Sequence, residues 1–188
     1  MNIMCALLLL TVMLQAGASV FEIDLSPGEG VPEFEAASKE LKLHELPLGS
    51  SRITSTVTVS LNQRLKYDNE LYRTLQAGRI QVLEPSTLEG RQIGTVNRLT
   101  KSEYYSDKFK SVKLELKLGM TIEYLQYRAE GSCFLRVDGK VIDAFCLPND
   151  ERKFHVESKP KTEWWIHVVL GPAVGWIQVS DATVRVVR

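Results

Sequence analysis

Short segments rich in β-branched and aromatic residues recur along the chain from Ile53 to its last residue. Gly, Asp, Asn or Pro separates most of them, and neighbouring segments start roughly ten residues apart. This spacing is typical of a β-sandwich or β-barrel, so we predict an all-β fold. The predicted strands are 53–60, 79–83, 91–96, 112–118, 120–127, 133–137, 140–146, 153–157, 163–169, 175–180 and 183–188.

Three stretches do not fit this pattern. Residues 70–78 and 99–109 are predicted as helical turns or long loops. Residues 19–50 contain several Pro and Gly residues, and the apolar side chains within 33–46 keep a poor helical period. We therefore predict an N-terminal linker over residues 19–50 with one marginal helix in it.

The first 18 residues have the features of a secretory signal peptide. An apolar run, 3–14, is followed by Ala16-Gly17-Ala18, the small residues that a signal peptidase requires. A run of about 12 apolar residues is too short to span a hydrocarbon core of about 30 Å. We expect cleavage after Ala18, no stable membrane span afterwards, and a periplasmic or secreted protein.

Charge gives little indication of a partner. The 23 basic and 23 acidic residues balance, so nucleic acid and anionic membranes are not expected partners. The balance is uneven along the chain, because residues 19–50 carry a net charge of −5 and the remainder carries +5. This indicates an acidic tail beside a slightly basic body.

The sequence CFLRVDGKVIDAFC, residues 133–146, predicts a β-hairpin with one wholly apolar face. A type II′ turn at Gly139-Lys140 would place Cys133 opposite Cys146, and it would also match aromatic with aromatic and Arg with Asp. A type I′ turn at Asp138-Gly139 would instead place Cys133 opposite Ala144. We predict the first register because it satisfies every cross-strand pair at once.

Three kinds of chemistry fit Cys133 and Cys146. A structural disulfide in an oxidising compartment is the interpretation that we favour, and closing so short a loop would contribute about 3 kcal/mol. A reactive thiol is less consistent with the residues, because the spacing is not CxxC. A metal site completed by His155 and His167 lacks a closely spaced pair of ligands.

A second hairpin is predicted near the C-terminus. If Val169 pairs with Val174, one face holds a core, and the other face holds the remaining aromatic and polar residues of the two strands. Clustered tryptophans on an open face would suit peptide or sugar recognition, whereas residues 55–100 or the N-terminal linker would bury them if either covered this face. The candidate binding residues are Trp165, His167, Trp176 and Gln178.

The closing motif of the chain resembles that of bacterial SH3-like domains. The residues that fit are Trp165, Val168, Gly171, Gly175, Trp176, Ile177 and Val179. The resemblance covers roughly residues 114–187 and implies an SH3-like β-barrel over 113–188, with residues 51–112 as a β-rich region or a second small barrel. The cysteine pair and the 145–154 connection depart from the family pattern, and the motif that grips polyproline is absent.

The resemblance implies an exported, non-catalytic binding module of the cell envelope. Its expected ligand is a peptide, a cell-wall fragment or a protein partner, recognised through the aromatic surface. The alternatives are a thiol-dependent enzyme that uses Cys133 or Cys146 with a histidine, and a purely structural or assembly protein. The sequence contains no G-x-S-x-G, HExxH or phosphate-binding loop, and we expect neither a cofactor nor a metal.

Overall fold

The computed structural model describes residues 20–24, 31–147 and 150–187. These residues form strands almost throughout, with one short helix, so the predicted all-β class is confirmed. The elements are β1 Phe21–Ile23, β2 Glu33–Ala36, β3 Glu40–His44, β4 Ile53–Thr58, β5 Arg64–Leu65, β6 Tyr67–Gln76, β7 Gly78–Val82, β8 Ser86–Gly94, β9 Arg98–Leu99, α1 Lys101–Tyr104, β10 Lys110–Leu116, β11 Thr121–Tyr127, β12 Ser132–Val137, β13 Lys140–Phe145, β14 Phe154–Ser158, β15 Lys161–Leu170, β16 Ala173–Gln178 and β17 Val184–Val187.

The strands form three sheets. The first sheet combines strands from both ends of the chain in the order β4-β3-β16-β15-β6-β1-β9. The second sheet has the order β10-β8-β13-β12-β11-β7-β14, so it is built entirely from the middle of the chain, 78–158. The small sheet has the order β17-β2-β5.

This arrangement does not reproduce the expected barrel. Within the part of the chain that the structure describes, the three sheets do not close into a barrel. The region of SH3-like resemblance is divided among all three sheets, and the expected boundary between 112 and 113 falls inside β10. The middle of the chain is instead a sheet inserted between β6 and β15, which pair with each other.

Each of the predicted strands overlaps an observed strand, and the errors lie where no strand was predicted. The marginal helix within 33–46 is wrong, because β2 and β3 occupy this stretch. Its apolar residues alternate with polar ones, and the apolar ones are buried. Residues 70–78 lie mainly in β6, which runs through the middle of the first sheet, and α1 lies inside 99–109.

The β12–β13 hairpin of the second sheet is buried largely on both faces. One face of the β12–β13 hairpin packs into a core with Ile80, Leu116 and Ile122. The other face contributes Phe134 and Val141 to a separate core with Phe21, so the hairpin has little freedom on either side. A third core lies between the first sheet and the small sheet.

The predicted register of the β12–β13 hairpin is wrong, and the alternative type I′ register is the one observed. Val137 pairs with Lys140 and Cys133 with Ala144. Asp138 and Gly139 both have positive φ, 49° and 75°. An Asp-Gly turn of this kind matches the twist of the two strands, and Asp tolerates the left-handed conformation better than most residues.

Cys133 and Cys146 form a disulfide in this register, although they are not directly opposite each other. The strand β13 ends at Phe145, and the amide of Cys146 donates to the carbonyl of Gly131 over 2.6 Å. With this hydrogen bond in place, the Cα atoms of the two cysteines lie 5.0 Å apart, within the range that a disulfide needs.

The expected pair of Arg136 and Asp143 is also absent from the hairpin. Arg136 donates to Glu123 over 2.7 Å, and Asp143 accepts from Tyr104 over 2.7 Å. Both partners lie outside β12 and β13, so contacts with surrounding elements replace the pair that the hairpin alone would favour.

The predicted signal peptide lies outside the described residues, as does Cys5. Among the described residues, no helix is both long enough and apolar enough to cross a lipid bilayer.

Candidate functional site

The β15–β16 hairpin has the predicted register. Val169 pairs with Val174, His167 with Trp176 and Trp165 with Gln178. The inner face is a core as expected, and its buried members are Ile166, Val168 and Ile177. The outer face, which holds the four candidate binding residues, therefore depends on what lies over it.

Trp165 is not available on this face, because its exposure is 0%. The ring of His44 lies edge-on to it at 5.4 Å between centroids, and its indole nitrogen donates to Glu163 over 3.0 Å. His44 ends β3, in the stretch predicted as a linker. At Trp165 the face is therefore covered and not open, and the predicted N-terminal linker supplies part of the cover through His44.

A buried arginine holds this cover in place. Arg73 donates through Nε to Glu22 over 2.9 Å and through Nη1 to the carbonyl of Pro47 over 2.6 Å. Its Nη1 also lies 3.6 Å from a carboxylate oxygen of Glu163, the residue that accepts from Trp165. This network joins four segments that are distant along the chain, and it helps to hold the covered Trp165 end of the face in place.

The other end of the face is more open. Nδ1 of His167 is hydrogen bonded to a carboxylate oxygen of Asp68 at 2.6 Å, and the side chain of His167 is 24% exposed. The ring of Trp176 lies 5.2 Å from the His167 ring and is partly buried. Val169 and Val174 beside them are exposed, at 43% and 46%. Trp176, His167 and Asp68 thus form a polar and aromatic group at the surface.

Gln178 lies at the covered end of the hairpin and is partly buried, opposite Trp165. Its backbone carbonyl accepts from the hydroxyl of Thr183 over 2.5 Å. The structure therefore divides the four candidate residues into two pairs. His167 and Trp176 lie together at the open end, whereas Trp165 and Gln178 lie at the covered end.

An open cleft of about 530 Å³ begins beside this group. Asp68 and Asn69 line it, and Asn69 is paired with His167 across β6 and β15. Its polar and aromatic lining also includes Asp24, Tyr67, Glu70, Lys101 and Tyr105. Three carboxylates and one ammonium give the cleft a net acidic lining.

Two groups in the cleft are partly desolvated. Burial raises the pKa of the Asp24 carboxyl, while the nearby Arg98 opposes that rise. Burial, together with the charge of Glu70, raises the pKa of the Tyr67 phenol. Both shifts reflect burial of part of the cleft lining, and the attraction for a cationic group comes from the excess of carboxylates in that lining.

A second polar cluster, which was not predicted from the sequence, surrounds Asp143 on the β12–β13 hairpin. Asp143 accepts hydrogen bonds from Tyr104, Ser132 and Arg91. The guanidinium carbons of Arg91 and Arg128 lie 4.2 and 4.5 Å from the Tyr104 ring centre. These residues come from separate elements, and the hydrogen bonds of the cluster join α1 to the second sheet.

In the described ranges, no group of three or more His, Cys, Asp or Glu residues is arranged to hold a metal ion. The bond between Cys133 and Cys146 leaves no free thiol at either position, and both residues lie in a hydrophobic core.

Searches of known protein families, of curated proteins and of solved structures each found no match for this chain.

Proposed function

We propose that the protein is an exported, non-catalytic binding module of the cell envelope. Its ligand is a peptide, a cell-wall fragment or a protein partner, held at the open end of the β15–β16 face. The supporting observation is the continuous surface that runs from the acidic cleft through Asp68 and His167 to Trp176. We keep the resemblance of residues 114–187 to bacterial SH3-like domains as a part of this proposal.

The chemistry of this surface favours a ligand with both an apolar part and an amino group. Trp176 and the exposed valines 169 and 174 offer apolar contact, and an aromatic ring binds peptide or sugar faces well. The carboxylates of Asp24, Asp68 and Glu70 would attract an ammonium group. Peptide stems of cell-wall fragments combine these two features.

A calorimetric titration tests the proposal, with a soluble disaccharide-peptide fragment of the cell wall as the probe. We expect saturable binding by the wild-type protein. Trp176→Ala should weaken it roughly tenfold, which corresponds to about 1.4 kcal/mol. Acetylation of the amino groups of the probe should weaken binding too, because the attraction of the carboxylates is then lost.

Phe145→Ala is a suitable control, because Phe145 is an aromatic residue that is 77% exposed on β13 and far along the chain from this site. It should bind the probe like the wild-type protein. Absence of saturable binding, or equal affinity in Trp176→Ala and the wild type, would show that this face does not hold such a ligand.

The thiol-dependent enzyme is a weaker alternative, since a nucleophilic sulfur would first require reduction of the Cys133–Cys146 bond. Titration of thiols in the native exported protein separates the two functions. The binding module predicts no reactive thiol per chain, whereas an enzyme of this kind predicts at least one. A purely assembly role would need the same surface to be covered by a protein partner.

A further inference from the structure

The edge strands of the three sheets differ in how they are protected against pairing with other strands. Charged side chains on an edge strand discourage such pairing, because they would be brought close to a second strand. Among the edge strands of the described part of the chain, β4 alone carries no charged residue. For comparison, β10 contains Lys110, Lys113 and Glu115, β14 contains Glu157, and β5, β9 and β17 each contain an Arg.

The backbone of β4 is available along its free side. In the described residues, β4 pairs with β3 only, and the regular part of this pairing matches 55–58 with 40–43. The amide of Val59 donates to Lys39 over 2.9 Å, so by alternation Val57 also bonds to β3. Thr56 and Thr58 therefore direct their amides and carbonyls away from β3.

The two faces of this edge differ. The side chains of Thr56 and Thr58 are exposed, and Val57 packs partly against the core of the first sheet. A strand added here would continue the sheet and extend that core.

The residues of β4 suit pairing with an identical strand. If two copies run antiparallel with Val57 facing Val57, each Thr56 lies opposite a Thr58 of the other copy. Threonine pairs across strands are favourable, and no like charges meet in this register. The Val57 pair would lie on the inner face, where it joins the two cores.

We propose that β4 pairs antiparallel with β4 of a second copy of this chain, which makes one continuous sheet from the two first sheets. The pairing uses the free amides and carbonyls of Thr56 and Thr58. It lies on a different strand from Trp176 and His167, so dimerisation and the proposed ligand binding are separate properties.

Sedimentation velocity of the purified protein across low to high micromolar concentration tests the proposal. The wild-type protein should change from monomer to dimer over this range. Thr56→Lys/Thr58→Lys places lysines opposite each other across the two copies, so its dimerisation should weaken at least tenfold. A wild-type protein that stays monomeric, or a lysine variant that dimerises like it, overturns the proposal.

A charge-swapped variant tests the register directly. Thr56→Glu/Thr58→Lys pairs each new acid with a new base of the other copy, and it should dimerise at least as well as the wild type. Within one chain the two new charges also lie beside Lys42 and Glu40, which are of opposite sign. A monomeric charge-swapped variant overturns the antiparallel Val57 register. Thr121→Lys, on an exposed position of β11, is the control for added charge and should leave the dimer unchanged.

Discussion

The two hairpins β12–β13 and β15–β16 are similar in length but differ in their surroundings. The β12–β13 hairpin lies between two cores and is closed by a disulfide. The β15–β16 hairpin packs one face on a core, while its outer face is covered at Trp165 and open at Trp176. One hairpin is thus packed largely on both faces, whereas the other leaves part of one face exposed.

This difference shows that an aromatic residue on an outer face is not by itself a binding residue. Trp165 and Trp176 lie on the same face of one hairpin. His44 of the N-terminal segment pairs with Trp176 across β3 and β16, but its ring packs against Trp165. Trp165 is fully buried, whereas Trp176 remains partly exposed. The following predictions test the division between structural and binding residues.

The two tryptophans should differ most strongly in their effect on stability. Trp165→Ala empties a fully buried site and should lower the free energy of unfolding by about 3–5 kcal/mol. Trp176→Ala removes a partly buried ring and should cost about 1 kcal/mol. Urea denaturation followed by circular dichroism measures both values. Equal losses would contradict the division of the face into a covered and an open end.

Removal of the disulfide should destabilise the second sheet selectively. Cys133→Ala/Cys146→Ala is expected to lower the free energy of unfolding by about 2–4 kcal/mol, because the unfolded chain gains freedom. Amide hydrogen exchange should accelerate more in β12 than in β15. Faster exchange of equal size in the two strands would show that the bond acts on the whole fold.

The turns of the two hairpins, at Gly139 between β12 and β13 and at Gly171 between β15 and β16, offer a matched comparison. Gly139 and Gly171 both have positive φ, and open space surrounds the position of an added Cβ at each. Gly139→Ala and Gly171→Ala should therefore each cost about 1–2 kcal/mol from backbone strain alone. Gly49→Ala is the control, since its site is open and its φ is not in the strained range. Thermal unfolding measures all three, and a neutral Gly139→Ala would contradict the type I′ turn.

Alkaline pH should lower the stability of the fold through Tyr104, which is hydrogen bonded to Asp143 of the β12–β13 hairpin. Burial, with the hydrogen bond to Asp143, raises the pKa of Tyr104 to about 12. Because an unfolded tyrosine has a pKa near 10, the contribution of Tyr104 to stability is complete below about pH 10 and is lost as the pH rises towards 12. Denaturation at several alkaline pH values should show a smaller decline for Tyr104→Phe than for the wild type. The same decline in both proteins would exclude this role of Tyr104.

Much of the strand pattern could be predicted from the sequence, because alternation is a local property. In β3, the burial of Leu41 and Leu43 between polar neighbours was also visible as a period of two. The Pro and Gly residues nearby made this stretch look like a linker. The order of strands in the sheets could not be predicted, since β6 pairs with β15 across the whole inserted sheet.

The two hairpin registers show the limit of local reasoning in the same way. For β15–β16, a short loop and a clear core face are sufficient. For β12–β13, the charged residues that suggested a register find partners in other elements, Glu123 and Tyr104, which the hairpin sequence does not contain. The cover over Trp165 has the same origin, because His44 is remote in sequence.

The most direct test of the proposed binding surface is a map of amide chemical-shift changes when the soluble cell-wall disaccharide-peptide is added to the labelled protein. We expect the largest changes at Asp68, His167 and Trp176, and no changes in β12 and β13. Changes concentrated on the β12–β13 hairpin, or none at saturating probe, would contradict the assignment of one hairpin to structure and the other to binding.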